Sequence, residues 1–321
     1  MTRRAIRSAF LAILALLSFA RPSFAECAAT DEDCLIDALK KPGPEALRAI
    51  MALGEIKSAK AVDPLIDQFK SSDQYAATAA AHALTKIGDA AVPALVDAST
   101  SSKASVRKYA GYALGRIGGG NALAAVSRLA KDEDPEIRAR AAQSFALLKD
   151  KAALIDLVSL LEDRHRSVRL AAIHALSQMP DFKVAKPLID RGLMDLDHQV
   201  SAEAAGVLLQ IGPPAIDPLL ATLDASPDHV RARACALLGE LAAKSTDPMV
   251  KKQVRKRLLL VLKDEYAKPE LRQAACAGLI PIGDAEVRAA LEAVTAKYAG
   301  KTEAAPLVAA AKSALEKIPT P

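Results

Sequence analysis

The chain has 321 residues, of which 51% are apolar and only 3% aromatic, with no tryptophan; 43 lysines and arginines face 38 acids, for a net charge of +5. Four of the basic residues (Arg3, Arg4, Arg7 and Arg21) lie in the first 25 positions, which hold no acid, so the remainder carries 39 against 38. That near-neutral balance excludes taking the basic charge as the footprint of a nucleic-acid binder.

The first 25 residues have the form of a secretory leader. Arg3, Arg4 and Arg7 make a positive start, Phe10 to Ala20 is a largely apolar run, and Ser23-Phe24-Ala25 offers a small-x-small cleavage site. Cleavage after Ala25 leaves Glu26 as the new N-terminus, and the expected location is the bacterial periplasm or the exterior. The apolar run falls short of the ~20 residues of a membrane span, so an uncleaved anchor is the lesser alternative, and no transmembrane segment is expected after cleavage. Glu26 before Cys27 argues against lipidation, while Arg3-Arg4 leaves the general and twin-arginine routes both open. Residues 26–32 read as a short tail. Cys27 and Cys34, seven apart in a chain bound for an oxidising compartment, are expected to form a local disulfide, with two free thiols as the alternative.

From there to the end one unit repeats. Equivalent positions fall at Ala46, Ala77, Arg107, Arg138, Arg169, Ser201, Arg231, Arg272 and Val308, at intervals of 31, 30, 31, 31, 32, 30, 41 and 36. Around each anchor, apolar residues recur one before and three, seven and ten after: Val106, Ala110, Leu114 and Ile117 in the third copy, Val168, Ala172, Leu176 and Met179 in the fifth. Those offsets trace a single helical stripe, with the alanine column expected to mark the closest approach of neighbouring helices. A shorter apolar segment precedes each anchor, with Pro64, Pro93, Pro187 and Pro218 early in it, and Gly88, Gly118, Gly212 and Gly283 close the anchored helix as expected left-handed caps. Between Lys244 and Tyr266 the first helix of the copy is expected to be longer and basic. Each unit is a helical hairpin that cannot bury its own stripe and must stack on its neighbours.

The order proline, aspartate, Val-Arg and then Ala-Leu-x-x-Ile-Gly resembles the HEAT repeat, in particular the short HEAT-like repeats of phycobilisome lyases and many bacterial proteins, over residues 33–319. The resemblance is specific in the middle copies and looser at the ends, where Ala46 and Val308 replace the arginine. It implies an all-α fold, a right-handed α-solenoid of about nine stacked hairpins. It also implies a ladder, in which a turn aspartate of one repeat pairs with the anchor arginine of its neighbour: Arg107, Arg138, Arg169, Arg231 and Arg272 with Asp132, Asp163 and Asp195. A guanidinium at the start of a packed helix needs carboxylate or carbonyl acceptors, and an arginine kept in register five times suits a scaffold better than a ligand site.

The chemistry-bearing residues are sparse. None of the histidines (His82, His165, His174, His198 and His229) is followed by glutamate, so the His-Glu pairs of HEAT-type di-iron hydroxylases are missing, and no His-x3-His or Cys-x2-Cys spacing offers a metal site. His165, His198 and His229 fall in three successive turns and are expected to be solvated. Cys235 and Cys276 occupy a small-residue core position and are expected as buried, unbridged thiols. HEAT-like DNA glycosylases act through a basic, aromatic-bearing groove, which this composition does not support. No catalytic residue and no cofactor is expected, and the Lys251–Arg257 run reads as a solvated helix face.

If the second helices line the binding face, as in HEAT proteins, offsets of one, five and nine after each anchor should be exposed. They spell out His82 and Lys86, then Lys108, Tyr112 and Arg116, then His174 and Gln178, a polar and weakly basic stripe; the C-terminal copies are blander. Tyrosine and arginine are residue types that dominate interfaces. The expected function is a non-enzymatic, monomeric, exported scaffold for one or more envelope proteins. The alternative is a lyase-like or chaperone-like accessory of a cofactor-bearing protein, against which export weighs.

Overall fold

A computed structural model describes residues 27, 28, 30–41 and 43–319. The leader and its cleavage site lie outside the described residues. The chain beyond them forms nine helical hairpins in sequence order, with no strand among the described residues. The first three are α1 (Glu32–Ala38) with α2 (Pro44–Glu55), α3 (Val62–Asp67) with α4 (Gln74–Ile87), and α5 (Val92–Ala98) with α6 (Ala104–Ile117). Next come α7 (Gly120–Leu129) with α8 (Pro135–Leu148), α9 (Leu154–Leu160) with α10 (Arg166–Gln178), and α11 (Ala185–Pro187, continued by a π-helical stretch Leu188–Leu193) with α12 (His198–Ile211). The last are α13 (Ile216–Ala225) with α14 (Asp228–Lys244), α15 (Pro248–Lys263) with α16 (Pro269–Leu279), and α17 (Ala285–Lys297) with α18 (Ala305–Lys317). This is an α-solenoid.

The anchor alignment has a direct structural counterpart. Eight of the nine second helices begin three residues before their anchor, and α2 begins two before Ala46. The same offset holds across the irregular intervals of 41 and 36 residues, so the extra residues lie ahead of the second helix. In the eighth hairpin they lengthen α15 to 16 residues, the longer basic helix expected there.

The described residues divide into two compact units, the first ending at Ala113 and the second starting at Leu114, inside α6. In the first unit α2 packs on α4 and α3 on α5 around Ile50, Leu53, Leu65, Phe69, Leu84 and Leu95, all fully buried. Phe69 also stacks on Tyr109, with ring centroids 5.5 Å apart. In the second unit the second helices pack in series, α8 on α10, α10 on α12, α12 on α14, α14 on α16 and α16 on α18. Their stripe residues Leu114, Phe145, Leu176, Leu208, Leu238 and Leu279 are all at 0% exposure. Each such side chain contributes ~1.5–3 kcal/mol, which no hairpin gains without a neighbour to bury it against.

One expectation gains a second set of contacts and another changes. The alanine column is buried throughout, and glycines outside it make close backbone approaches as well. A Cβ on Gly54 would stand 2.8 Å from the Ala83 Cα, one on Gly115 2.4 Å from the Ser144 Cβ, and one on Gly239 2.0 Å from the Gly278 carbonyl oxygen. In each pair the eighth residue after one anchor meets the sixth after the next. The column alanine Ala204 instead faces Gly192 of its own first helix, where a Cβ would come within 2.7 Å. The change concerns the caps. Gly88, Gly118 and Gly212 take positive φ, whereas Gly283 has an ordinary φ of −67° and is glycine because Ile318 packs where a Cβ would stand. The presumed tail is also partly structural: Asp31 caps α1, which starts at Glu32 inside it.

Candidate functional site

Two rungs of the ladder, both in the second unit, show its full geometry. Arg138 grips Asp163 with two parallel bonds, Nε to Oδ2 at 2.6 Å and Nη2 to Oδ1 at 2.9 Å, while its Nη1 donates to the carbonyls of Asp132 (2.7 Å) and Glu133 (3.0 Å). Arg169 repeats this arrangement on Asp195 (2.6 and 3.2 Å) and on the Asp163 carbonyl (2.9 Å). Each guanidinium therefore ties its own hairpin turn to the next one. The aspartates are held from behind as well: Asp132, Asp163 and Asp195 accept from the backbone N–H two residues on. The Arg138 and Asp163 side chains are each only 9% exposed. Burial pushes the Asp163 carboxyl up, but the bonds from Arg138 and the His165 N–H outweigh it and hold the group below its ordinary value. The same pair, chiefly through the hydrogen bond to Asp163, holds Arg138 above its own.

In the first unit Arg107 makes the same turn contacts, donating from Nη1 to the Ser101 and Ser102 carbonyls. Two of the anchor arginines differ from that pattern in their partners. Arg231 turns to the Leu223 carbonyl and to Asp228 of its own helix, and Arg272 to the Leu262 carbonyl and the Tyr298 hydroxyl. These last two correct the expected ladder, and the cause is visible six residues before the following anchors. There the aspartate has given way to Tyr266 and Thr302.

The structure also supplies a rung that the repeat alignment misses. At the sixth anchor Ser201 cannot reach the turn carbonyls, and Arg233 of the next hairpin does so instead, donating to the Leu193 (2.7 Å) and Asp195 (3.2 Å) carbonyls. Its signal in the sequence is the serine itself, since a missing donor leaves carbonyls that need another. The cap aspartates were equally legible: Asp73, Asp134 and Asp197, four before their anchors, accept from the first N–H groups of α4, α8 and α12.

The expected binding stripe falls into the two units. In the first, His82 and Lys86 are exposed and Lys108 and Tyr112 half-buried. His82 and Tyr112 occupy the same offset in successive hairpins and meet edge to face, centroids 5.4 Å apart, with the Tyr112 hydroxyl 3.3 Å from His82 Nε2. Lys86 pairs with Glu55, again offset nine against offset nine. The Lys108 ammonium lies 5.8 Å from the Tyr109 ring. In the second unit Arg116, His174 and Gln178 are exposed at the corresponding offsets. Register thus brings like columns face to face.

A family model for HEAT repeats matches residues 32–115 and 122–209. The chain belongs to the HEAT repeat proteins. No curated protein matches it in sequence. Among solved structures it is similar to the karyopherin Kap121p bound to the extreme C-terminus of the protein phosphatase Cdc14p, at 13% identity and a TM-score of 0.66, over 98% of this chain and 40% of that one. It is similar as well to importin beta, at 16% identity and a TM-score of 0.56, over 88% of this chain and 45% of that one. The chain spans less than half the length of either karyopherin, and at these identities the likeness is one of fold. A match to human deoxyhypusine hydroxylase has a TM-score of only 0.34 and carries no argument about activity.

The remaining reactive groups of this HEAT repeat protein are kept apart. Cys27 and Cys34 are joined by a disulfide, and Cys235 and Cys276 are free and buried. Burial pushes the Cys235 thiol up to about 12 and the Cys276 thiol up to about 11, which leaves no thiolate for nucleophilic attack at neutral pH. Among the described residues no three His, Cys, Asp or Glu side chains gather closely enough to hold a metal ion, and no helix is long and apolar enough to cross a membrane. His165 is half-buried in its turn; His198 and His229 are exposed. On α15, Arg255 pairs with Asp284 and Arg257 with Asp224, so part of the basic run is tied to the flanking hairpins.

Proposed function

We propose that this HEAT repeat protein is an exported, non-enzymatic scaffold that captures one or more envelope proteins on the exposed columns of its second helices. The observation that carries it is the pairing of His82 with Tyr112. An aromatic side chain held by a neighbour of the same offset is already ordered, so a partner meets it without a large entropic cost. Lys86 and Lys108 each stand four residues along the helix from a member of that pair, Lys86 in an ion pair with Glu55. Karyopherin Kap121p, with the same fold, is seen in crystals bound to the extreme C-terminus of the protein phosphatase Cdc14p and to Nup53p, which supports capture of protein rather than of a small molecule.

Export is supported by the leader-like first 25 residues and by the Cys27–Cys34 disulfide, which suits an oxidising compartment.

The test is crosslinking in the native envelope followed by mass spectrometry, comparing the wild type with a His82→Ala, Tyr112→Ala double variant. The expected result is a discrete set of crosslinked proteins that the variant loses while its melting temperature stays unchanged. An unchanged crosslink pattern in a folded variant refutes the stripe. N-terminal sequencing of the protein recovered from the periplasm should begin at Glu26; retention of the leader in the cytoplasm refutes export.

A further inference from the structure

The ninth hairpin lacks the turn aspartate that the fourth, fifth and sixth hairpins carry. In the complete rungs a buried arginine meets an aspartate six residues before the next anchor, Asp163 for Arg138 and Asp195 for Arg169. Arg272 is buried just as deeply, at 6% exposure, yet its partners are a carbonyl and the Tyr298 hydroxyl, and among the described residues no carboxylate stands within ion-pair distance. The position that would supply one is Thr302. Positive charge gathers instead: the Tyr298 ring has Arg272 4.9 Å, Lys301 5.1 Å and Lys297 5.8 Å from its centroid. Lys297 is paired with Glu265, whose carboxyl is lowered by that hydrogen bond and also by the charges of Arg272 and Lys301; among the described residues Lys301 and Lys312 form no ion pair of their own.

A cavity of about 460 Å³ opens at this place, lined by Tyr298, Lys301, Thr302, Val308, Ala309 and Lys312. Two ammonium groups and a threonine hydroxyl line one part of it, and small apolar side chains another. A lone carboxylate on a short apolar stretch of chain matches that lining, because ammonium donors gain most from an ionised acceptor and Val308 and Ala309 offer contact to a methyl-sized neighbour.

We propose that this cavity is a docking site for an acidic peptide segment of a partner protein, whose Asp or Glu carboxylate is held by Lys301 and Lys312. The site lies wholly within the last two hairpins and goes beyond the stripe on the early second helices; each stands without the other.

The probe is an acetylated, amidated hexapeptide of alternating alanine and aspartate, with an alanine–asparagine counterpart as the neutral control. Binding to the full chain without its leader is followed by isothermal titration calorimetry at low salt. The aspartate peptide is expected to bind, with the neutral peptide and a Lys301→Ala, Lys312→Ala variant each weaker by about tenfold or more, as for loss of charge-assisted bonds. A Lys252→Ala, Lys256→Ala variant, altered on the exposed face of α15, should bind within about twofold of wild type, as expected where diffuse attraction is screened. Absence of binding by the aspartate peptide overturns the proposal, as does retained affinity in the Lys301, Lys312 variant. Equal losses in the two variants overturn it as well, because they mean general attraction to lysines. Inorganic phosphate that displaces the peptide at lower concentration than free aspartate refutes the carboxylate assignment in favour of a phosphate site.

Discussion

Arg138 and Asp163 show how a residue conspicuous in the sequence acquires its role from a partner 25 positions away. Removing the guanidinium strands a carboxylate that is nine-tenths buried, and breaking such a pair costs ~3–5 kcal/mol. Arg138→Ala should therefore lower the melting temperature sharply while leaving partner capture intact at temperatures where it is folded; unchanged melting would remove the ladder from the account of stability. Because the folded Asp163 carboxyl is held below its ordinary value, its contribution is complete above the unfolded pKa of about 4 and is lost as pH falls through the lower folded value. Acid titration of stability should show a shallower loss below about pH 4 in Asp163→Asn than in the wild type. Arg233 makes a second residue-scale case. Arg233→Ala should cost ~1.5–3 kcal/mol, and adding Ser201→Arg should restore much of it by returning a donor to the Asp195 carbonyl. No recovery in chemical denaturation would separate the two positions. The arginine column was legible because it recurs in register. Its failures at Arg231 and Arg272 were legible only as Tyr266 and Thr302 in place of the aspartate; which groups the two arginines reach instead depends on packing.

Between elements, the tightest contacts are those of α14 with α16, where Gly239 and Gly278 leave no room for a side chain. A methyl group at Gly239 would overlap the Gly278 carbonyl oxygen, which is backbone and cannot swing away. Gly239→Ala should destabilise by ~1–3 kcal/mol or more through forced separation of the helices, whereas Gly206→Ala, with open space around it, should be neutral or slightly stabilising. Comparison of the two by thermal melting distinguishes packing from the general helix preference for alanine. Helix positions, stripes and starts were all readable from the 3.6-residue period and the anchors. The crossing points were not. A glycine in a helix reads the same whether it faces solvent, as Gly206 does, or a carbonyl of the next hairpin. The π-helical turn of α11 was also unforeseen; Gly192 within it lies against Ala204, a contact between helices that no single helix encodes.

Across the whole molecule, each hairpin is completed by its neighbours, so buried groups report on how far unfolding spreads. Cys235 and Cys276 sit in the seventh and eighth hairpins with their thiols pushed well above neutral pH. A thiol reagent at pH 8 should find none of them in the native protein and two per chain in denaturant, with two more after reduction of Cys27–Cys34. Reaction in native buffer would show that these two hairpins open locally. By itself the sequence determined the class of fold, the number of hairpins, the buried stripe and the rungs at Arg138 and Arg169, because a periodic pattern repeated nine times states the same local physics again and again. Tertiary structure alone decided which glycines are crossing points, which arginines find a carboxylate, that Arg233 stands in for a missing rung, and that the ninth hairpin gathers lysines around an unfilled cavity. These outcomes depend on pairs of residues 25 to 40 positions apart. Distance in space and the choice among competing partners are set by packing, and periodicity carries no record of either.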